Sequence, residues 1–159
     1  RLYCLSIRGK LMADHVRQQI RNQVVTQLTG LTTTGSNVYD SRVYPLEDGN
    51  LPAILVYTKS ETSEPIEIGP NRTSERILSL NVEAYVKSTT NFEDTLDTIC
   101  KEVEQAIAAD PTLSGKVKDC FIESTEIEFN AEGERPLAFG TLVFLTSYYV
   151  QEQNPDVAV

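Results

Sequence analysis

The sequence predicts a single α+β domain, in which an antiparallel β-sheet carries two helices packed on one face, together with an extended hairpin arm. The chain has 159 residues, which is an ordinary length for one domain. Two segments have apolar residues at helical spacing, and they stand well apart in the chain. Between and after them lie apolar runs with a two-residue alternation, separated by short turns, and this pattern favours an antiparallel sheet.

The first helix is predicted over residues 14–28. Its apolar positions recur at the spacing of one helix face, and Asp14 stands where an N-cap is expected. A Thr/Gly/Ser-rich connection follows, and residues 38–39 and 42–44 predict a short extended pair. Pro45 then begins a turn.

Two strong strand signals flank a polar segment. Residues 51–58 are β-branched and aromatic, with Pro52 only near the start, so they predict a central strand. Residues 77–87 alternate between apolar and polar positions, as a strand with one buried face does. The intervening residues 59–76 have two interpretations: a mobile solvated loop, or a hairpin arm that turns at residues 69–71.

The polar segment 59–76 is the preferred candidate for a partner-binding element. A loop of this length without structure is uncommon in a compact domain unless it has a function. The hairpin interpretation rests on a short two-residue alternation around its isoleucines. The predicted partner-interface residues are Glu64, Ile66, Glu67, Ile68 and Arg72.

The second helix is predicted from about residue 92 to residue 109. Thr90 and Glu93 have the spacing of a capping box, in which each side chain bonds the other residue's backbone N–H. Asp110 and Pro111 end the helix, because the residue before a proline is driven out of helical geometry. The apolar stripe of this helix is predicted to be core.

Two further strands complete the predicted sheet. Residues 120–129 alternate, and residues 137–150 form a long apolar strand rich in aromatic side chains. In residues 120–129, strict alternation places one set on one side, namely Phe121, Glu123, Thr125, Ile127 and Phe129. The other side then carries Ile122, Ser124, Glu126 and Glu128. Residues 151–159 read as a polar C-terminal tail, expected to be mobile unless a neighbour holds it. The domain itself is predicted as residues 12–150.

The residue inventory predicts no enzyme and no metal or cofactor site. The chain has one histidine, His15, and three cysteines at positions 4, 100 and 120, whose spacing fits neither a disulfide framework nor a zinc cluster. No phosphate-binding glycine motif or nucleophile motif occurs. The glutamates of residues 120–129 could suggest paired carboxylates for acid–base chemistry. Ordinary solvated strand charge is the preferred interpretation, because no other catalytic group accompanies them.

The charge balance is strongly acidic. With 14 basic and 23 acidic residues, the formal net charge is -9, which speaks against a surface that grips DNA or an anionic membrane. Residues 1–11 hold three basic and no acidic residues, so 11 minus 23 leaves -12 from Met12 onward. Two interpretations of residues 1–11 stay open. They are a non-native extension before a start at Met12, or a basic arm that docks on an acidic neighbour.

The residues around the first strong strand resemble a known family. Residues 38–43 read VYDSRV, and residues 51–57 read LPAILVY. The tail terminator proteins of long-tailed bacteriophages, of the lambda minor tail protein U type, similarly place an aromatic-Asp-x-Arg turn before a Pro-Ala-aliphatic-x-Val-Tyr strand. The order of the later elements is similar as well, so the resemblance covers about residues 14–150. The N-terminal residues, the insertion at 45–50 and the C-terminal extension depart from the lambda pattern.

The resemblance implies a structural virion protein. Tail terminators form a ring, expected to be a hexamer, on the head-proximal end of the tail tube, where they stop tube polymerisation and offer a joining surface to the head connector. The implied partners are other copies of this chain, the tail tube protein and the head–tail connector protein. DNA only passes through the channel, and no membrane is involved. The implied location is the tail or neck of the virion, with the host cytoplasm during assembly.

A subunit that lines such a channel gives the acidic residues a role. Excess carboxylates repel phosphates over about a Debye length, so that DNA slides without sticking. The hypothetical channel-facing acids are Glu123, Glu126, Glu128, Glu132 and Glu134.

Two other functions stay open at this point. Another neck component, a head–tail connector or tail-completion protein, would share ring assembly but bind the portal side. A small ligand-binding regulatory α+β domain would require a concave pocket with convergent polar groups.

Overall fold

The computed structural model describes residues 13–42, 47–130 and 137–159. The elements, in chain order, are α1 (Val16–Leu28), β1 (Val38–Tyr39), a short 3₁₀ turn (Asp48–Asn50), β2 (Ala53–Pro65), β3 (Thr73–Lys87), α2 (Phe92–Ala109), β4 (Asp119–Asn130), β5 (Leu137–Gln151) and β6 (Asn154–Ala158). The predicted α+β class and the order of the main elements are confirmed. The predictions for residues 1–12 and 43–46, and for Glu132 and Glu134, lie outside the described residues.

One six-stranded sheet organises the domain. Its order is β1-β2-β3-β5-β4, and β6 pairs with the far end of β5. All pairings are antiparallel except that of β1 with β2, which is parallel. β5 lies inside the sheet, because it pairs with β3 on one side and with β4 on the other.

Both helices pack on the same face of the sheet, as predicted; we call it the helix-side face, and the opposite face the helix-free face. α1 buries Val16, Ile20, Val24 and Leu28, and α2 buries Leu96, Ile99, Cys100, Val103 and Ile107. These side chains join alternate residues of β2, β3 and β5 in one core cluster, because a two-residue period points every second strand residue to the same face. Within the described residues, neither helix is long and apolar enough to cross a membrane.

Both helix starts differ from the predicted caps. The N-cap of α1 is His15, whose Nδ1 accepts the backbone N–H of Arg17 at 3.1 Å, so Asp14 is not the cap. α2 starts after Asn91, which has a φ of 55° and makes no side-chain cap bond. The predicted capping box of Thr90 and Glu93 is therefore wrong, because the left-handed residue moves the helix start one position past Thr90.

Residues 59–76 form a β-hairpin, which decides against the solvated loop. Pro65 at the end of β2 pairs with Ser74 of β3, and the N–H of Ile66 donates to the carbonyl of Thr73 at 2.9 Å. The arm does not stand apart from the sheet, since β3 pairs with β5 along its whole length. Only residues 66–72 extend beyond the paired strands, and we call them the hairpin tip.

β4 departs from the strict alternation predicted for residues 120–129. Ile122 pairs with Phe144 and Ser124 with Val143, so Glu123 is an extra residue in a bulge. The helix-free face then carries Phe121, Ser124, Glu126 and Glu128, and the helix-side face carries Ile122, Thr125, Ile127 and Phe129. The predicted faces are wrong for the two residues before the bulge, because one inserted residue shifts a two-residue period.

The C-terminal tail is held by the rest of the chain. Asn154–Ala158 form β6, and the N–H of Val159 donates to the carbonyl of Tyr149 at 2.9 Å. Gln19 of α1 donates its side-chain amide to the carbonyl of Asp156, also at 2.9 Å. The expected loose terminus is therefore an ordered edge of the sheet.

Candidate interaction surfaces

The predicted partner-interface residues lie on the hairpin tip or beside it. Ile66 and Ile68 are 53% and 105% exposed. Glu64 stands at the end of β2, directly opposite Glu75 of β3. The structure therefore brings the predicted set together at one end of the sheet. The described part of the chain leaves the two isoleucines in water, and contact with another molecule would bury them.

Polar contacts fix the base of the tip. Arg72 Nε donates to Glu152 Oε2 at 2.8 Å, and Ser74 Oγ donates to Glu152 Oε1 at 3.1 Å. Glu67 Oε2 accepts both the N–H and the hydroxyl of Thr73, each at 3.3 Å. The bond from Arg72 holds the pKa of Glu152 below its ordinary value. Arg72 and Glu67 thus shape the tip, and its two isoleucines are its exposed apolar side chains.

β4 carries the described members of the hypothetical channel-facing set. Glu123 occupies the bulge, while Glu126 and Glu128 lie on the helix-free face, and all three are exposed. β4 is also one edge of the sheet, and an edge strand presents backbone N–H and C=O groups that another strand can bond. The acids are thus aligned along a free edge rather than gathered around a pocket.

The same strand exposes apolar side chains that sequence reasoning did not single out as a surface. These are Phe121 at 51%, Ile122 at 38%, Ile127 at 47% and Phe129 at 52% exposure. Two of them, with Ile107 and Pro111, line an open groove of about 320 Å³ between β4 and the end of α2. The available signal is that residues 120–129 have apolar side chains on both faces, which a half-buried strand does not require.

An aromatic patch built around one carboxylate lies on the helix-free face. Glu83 accepts the hydroxyls of Tyr57 at 2.5 Å and Tyr85 at 2.7 Å. Tyr85 stacks on Phe139 with ring centroids 5.4 Å apart, and the Arg42 guanidinium lies 5.3 Å over the Tyr57 ring. Burial, followed by the bond to Glu83, raises the pKa of Tyr57 to about 12. Both phenols therefore stay protonated and make a rigid patch, which sequence reasoning also missed.

A polar cluster closes the helix-side face beneath the start of α1. Glu61 accepts the Tyr148 hydroxyl at 2.5 Å and Arg76 Nη1 at 2.9 Å, and Arg17 Nε lies 3.9 Å away. Burial, then the bond to Glu61, raises the pKa of Tyr148. His15 Nε2 lies 3.5 Å from Arg76 Nη1. These contacts join β2, β3, β5 and the start of α1, so the cluster is structural.

The cysteines and the possible metal ligands of the described residues form no reactive cluster. Within the described ranges, no group of three or more His, Cys, Asp or Glu side chains could hold a metal ion. Cys100 and Cys120 are free and buried. Burial raises the pKa of Cys100 to about 11, and the pKa of Cys120 is raised by burial as well. Protonated buried thiols are poor nucleophiles.

Comparison with known proteins identifies the family of this chain. A search of curated proteins found no match. Among solved structures, a chain of the "Virion of native gene transfer agent (GTA) particle" is similar, with a TM-score of 0.44 and 13% sequence identity over 80% of this chain and 92% of that chain. The sequence model of the family described as Phage minor tail protein U matches residues 15–137. Since this match spans most of the chain, the protein belongs to the Phage minor tail protein U family.

Proposed function

We propose that this protein forms a ring on the head-proximal end of a phage tail tube, where it ends tube polymerisation and presents the joining surface for the head connector. Membership of the Phage minor tail protein U family supports a structural role in the tail. The expected hexameric state follows the resemblance to tail terminators. The proposed partners are other copies of this chain, the tube protein and the connector protein, in virions assembled in the host cytoplasm.

The hairpin tip is the observation that carries the proposal. It lies beyond the Pro65–Ser74 pair at one end of the sheet, and the Arg72–Glu152 pair fixes its base. A protrusion that is already ordered loses little conformational entropy when it binds. Burying an isoleucine side chain contributes roughly 1.5–3 kcal/mol. We therefore assign the tip to contact with the tube.

Ending tube growth requires a subunit with two different ends. The hairpin tip marks one end of the sheet, and the other end, where Lys87 pairs with Leu137, is formed by unrelated residues. A ring that binds the tube through the first end need only present a second end that does not match a tube subunit. No bond has to be made or broken, so the function fits a chain whose described residues are arranged for contact.

In the proposed ring, the helix-free face of the sheet lines the channel. Glu126 and Glu128 lie on that face, and Glu83 lies in the same cross-strand row as Glu126, on the other side of Thr141. Carboxylates on a channel wall repel DNA phosphates within about one Debye length, roughly 8–10 Å at physiological salt. DNA then passes through the ring without binding to it.

A tube-capping assay tests the proposal. Tube protein is polymerised with increasing amounts of this protein, and tube length and end occupancy are measured by negative-stain microscopy. We expect the wild-type protein to shorten the tubes and to occupy one end. The variant Ile66→Ser/Ile68→Ser should fold normally, because both side chains are exposed, and should cap at least about tenfold less well, since it loses two apolar contacts.

A matched control changes two exposed apolar side chains elsewhere. Val157→Ser/Val159→Ser alters residues that are 55% and 54% exposed at the C-terminal end, and it should cap like the wild type. Tubes of equal length with and without wild-type protein would contradict the proposal. Binding to the connector without binding to the tube would instead assign the chain to another position in the neck.

A further inference from the structure

An open groove between β4 and the end of α2 combines apolar and acidic side chains. Its lining includes Glu104, Ala108, Pro111, Phe121 and Ile122, and we call it the α2–β4 groove. Phe121 and Ile122 are exposed in the single chain. Among the described residues, no basic side chain lines this groove. Covering its apolar side chains by another molecule would be favourable.

The α2–β4 groove favours a cation. α2 ends at Ala109, and a helix C-terminus carries a partial negative charge, yet the last turn of α2 holds no basic residue. Glu104 adds its carboxylate from α2, and Glu123, which is exposed, directly follows Ile122 on β4. A suitable occupant of the groove therefore carries positive charge next to an apolar side chain.

One flank of α1 has this chemistry and faces away from the groove of its own copy. Arg17, Arg21 and Val25 recur every four residues, so they lie along one side of the helix; we call them the α1 flank. On the other side of the helix, Gln19 bonds the backbone of β6 at 2.9 Å, and Gln27 bonds the carboxylate that follows α2 at 3.2 Å. β6 lies on the β4 side of β5, because β3 occupies the other side. The α1 flank therefore faces the β2 edge of the sheet.

The α1 flank has hydrogen-bond donors that its own copy does not use fully. Arg17 Nε lies 3.9 Å from Glu61, which already accepts Arg76 at 2.9 Å. Within the described ranges, Arg21 forms no ion pair, and its buried Nε has no hydrogen-bond partner. Buried polar groups in folded proteins are normally bonded. Val25 is half-buried beside these two cations.

The α1 flank and the α2–β4 groove lie at the same position along the strand direction. One cross-strand row runs through Glu61, Leu78, Thr146 and Cys120. Arg17 lies beside Glu61 at one end of this row, and Cys120 lines the groove at the other end. A second copy placed beside the first in the same orientation therefore brings its α1 flank to the groove of the first, with both helix layers on the same side.

We propose that the α1 flank of one copy docks in the α2–β4 groove of the next copy. This inference rests on the proposed ring and supplies its subunit contact. The two arginines then meet Glu104 and Glu123, and Val25 covers apolar side chains of the groove. The contact joins two different surfaces, as the heterologous contact of a closed ring does. It lies in the helix layer, so the hairpin tip stays free for the tube.

Charge selects this contact over symmetric alternatives. A contact between two α1 flanks would bring four arginines together, and a contact between two grooves would bring their glutamates together. Like charges that face each other across an interface cost free energy and exclude such pairings. Only the contact of a flank with a groove pairs charges of opposite sign, so each copy joins its neighbour in one direction around the ring.

Two charge-reversal variants and their mixture test the contact. The flank variant Arg17→Glu/Arg21→Glu and the groove variant Glu104→Lys/Glu123→Lys each place like charges in the contact. Each alone should weaken ring assembly about tenfold at low salt. In an equimolar mixture, the flank of each variant meets the groove of the other with opposite charge. Mixed rings with equal numbers of both variants should therefore form within about threefold of the wild type.

Assembly is measured by sedimentation and native mass spectrometry on the protein alone, and by subunit counting on tube ends. Thermal unfolding followed by circular dichroism checks the fold of every variant. If Arg21→Glu disturbs the fold, Arg17→Glu alone replaces the flank variant, because Arg17 is exposed.

A matched control makes the same charge change elsewhere on α2. Asp94→Lys/Asp97→Lys alters exposed positions, the nearer of which is about 10 Å along the helix from Glu104, and it should assemble like the wild type. Reversals that assemble like the wild type, a mixture that is not restored, or a control as weak as the groove variant would overturn the contact while tube capping by the wild type still stands. Wild-type protein that neither forms rings nor caps tubes would refute the proposed function itself.

Discussion

His15 stabilises the start of α1 only while its imidazole is neutral. Nδ1 must be unprotonated to accept the N–H of Arg17 at 3.1 Å. Nε2 lies 3.5 Å from Arg76 Nη1, so a charged ring would bring two cations together. Burial, and next the charge of Arg17, lower the pKa of His15 from its ordinary 6.5. The only histidine of the chain is thus a helix cap.

This arrangement makes the stability of the protein depend on pH in a defined direction. With a lowered folded-state pKa, the unfolded chain takes up the proton first, so falling pH favours unfolding. The contribution of His15 is complete above pH 6.5 and is lost as the pH falls through the lowered pKa. His15→Asn supplies a cap that does not titrate, and His15→Ala should cost about 1 kcal/mol near neutral pH.

The measurement is the free energy of unfolding in urea at several pH values for wild type and His15→Asn. Subtracting one free energy of unfolding from the other at each pH removes the contribution of the carboxylates, which titrate in the same way in both proteins. We expect the two to agree within about 0.5 kcal/mol at pH 7.5 and the variant to become relatively more stable toward pH 5. A difference that does not change with pH would contradict the role assigned to His15.

At the scale of an element, β4 contains one inserted residue, Glu123, which has no pairing partner on β5. Ile122 and Ser124 pair with Phe144 and Val143, which are adjacent on β5. Deleting Glu123 should therefore leave every other β4 residue on its present face. We expect the unfolding temperature of this deletion variant to stay within about 3 °C of the wild type, because no buried contact is lost.

A deletion in the regular part of β4 provides the contrast. Without Glu126, the residues after it move to the opposite face of the sheet. The edge-to-face contact between the rings of Phe129 and Phe92, whose centroids are 5.7 Å apart, is then lost. This variant should be less stable by about 1–2 kcal/mol, measured by thermal unfolding with circular dichroism. Equal losses for the two deletions would show that Glu123 is not an inserted residue.

Features set by local periodicity could be predicted from the sequence, and features set by pairing could not. The alternation of residues 77–87 and the apolar stripe of α2 gave the faces that the structure shows. The bulge at Glu123 could not be predicted from the sequence, because a bulge is defined by which β5 residues pair with the β4 residues on either side of it. The cap of α2 was mispredicted because Asn91 adopts a left-handed conformation that the Thr90–Glu93 spacing does not reveal.

Long-range pairing also changes how the hairpin can be tested. The sequence pattern predicted its turn and its exposed isoleucines but not that β3 pairs with β5 along the whole arm. Removing all of residues 59–76 would take away buried Ser74 and the Glu61–Arg76 pair, so loss of capping would not be separable from misfolding. Changing Ile66 and Ile68 alone avoids this, since both are exposed.

At the scale of the whole molecule, the net negative charge opposes both the assembly of several copies and the binding of DNA. Each copy has a formal charge of -9, so neighbouring subunits repel each other at low salt. Assembly of the proposed ring has to overcome this repulsion. In such a ring, the acids of every copy would act on anything that passes through the channel.

The direction in which those acids point can be tested with DNA. On the helix-free face, Glu126→Lys/Glu128→Lys should convert a ring that does not retain duplex DNA into one that binds it, with affinity falling steeply between about 20 and 200 mM salt as counterions compete. Asp94→Lys/Asp97→Lys makes the same charge change on exposed positions of α2, and these should create much weaker binding. Fluorescence anisotropy of a short labelled duplex measures both, after sedimentation has confirmed the rings. Equal binding by the two variants, or binding by the α2 variant alone, would show that the helix-free face does not line the channel.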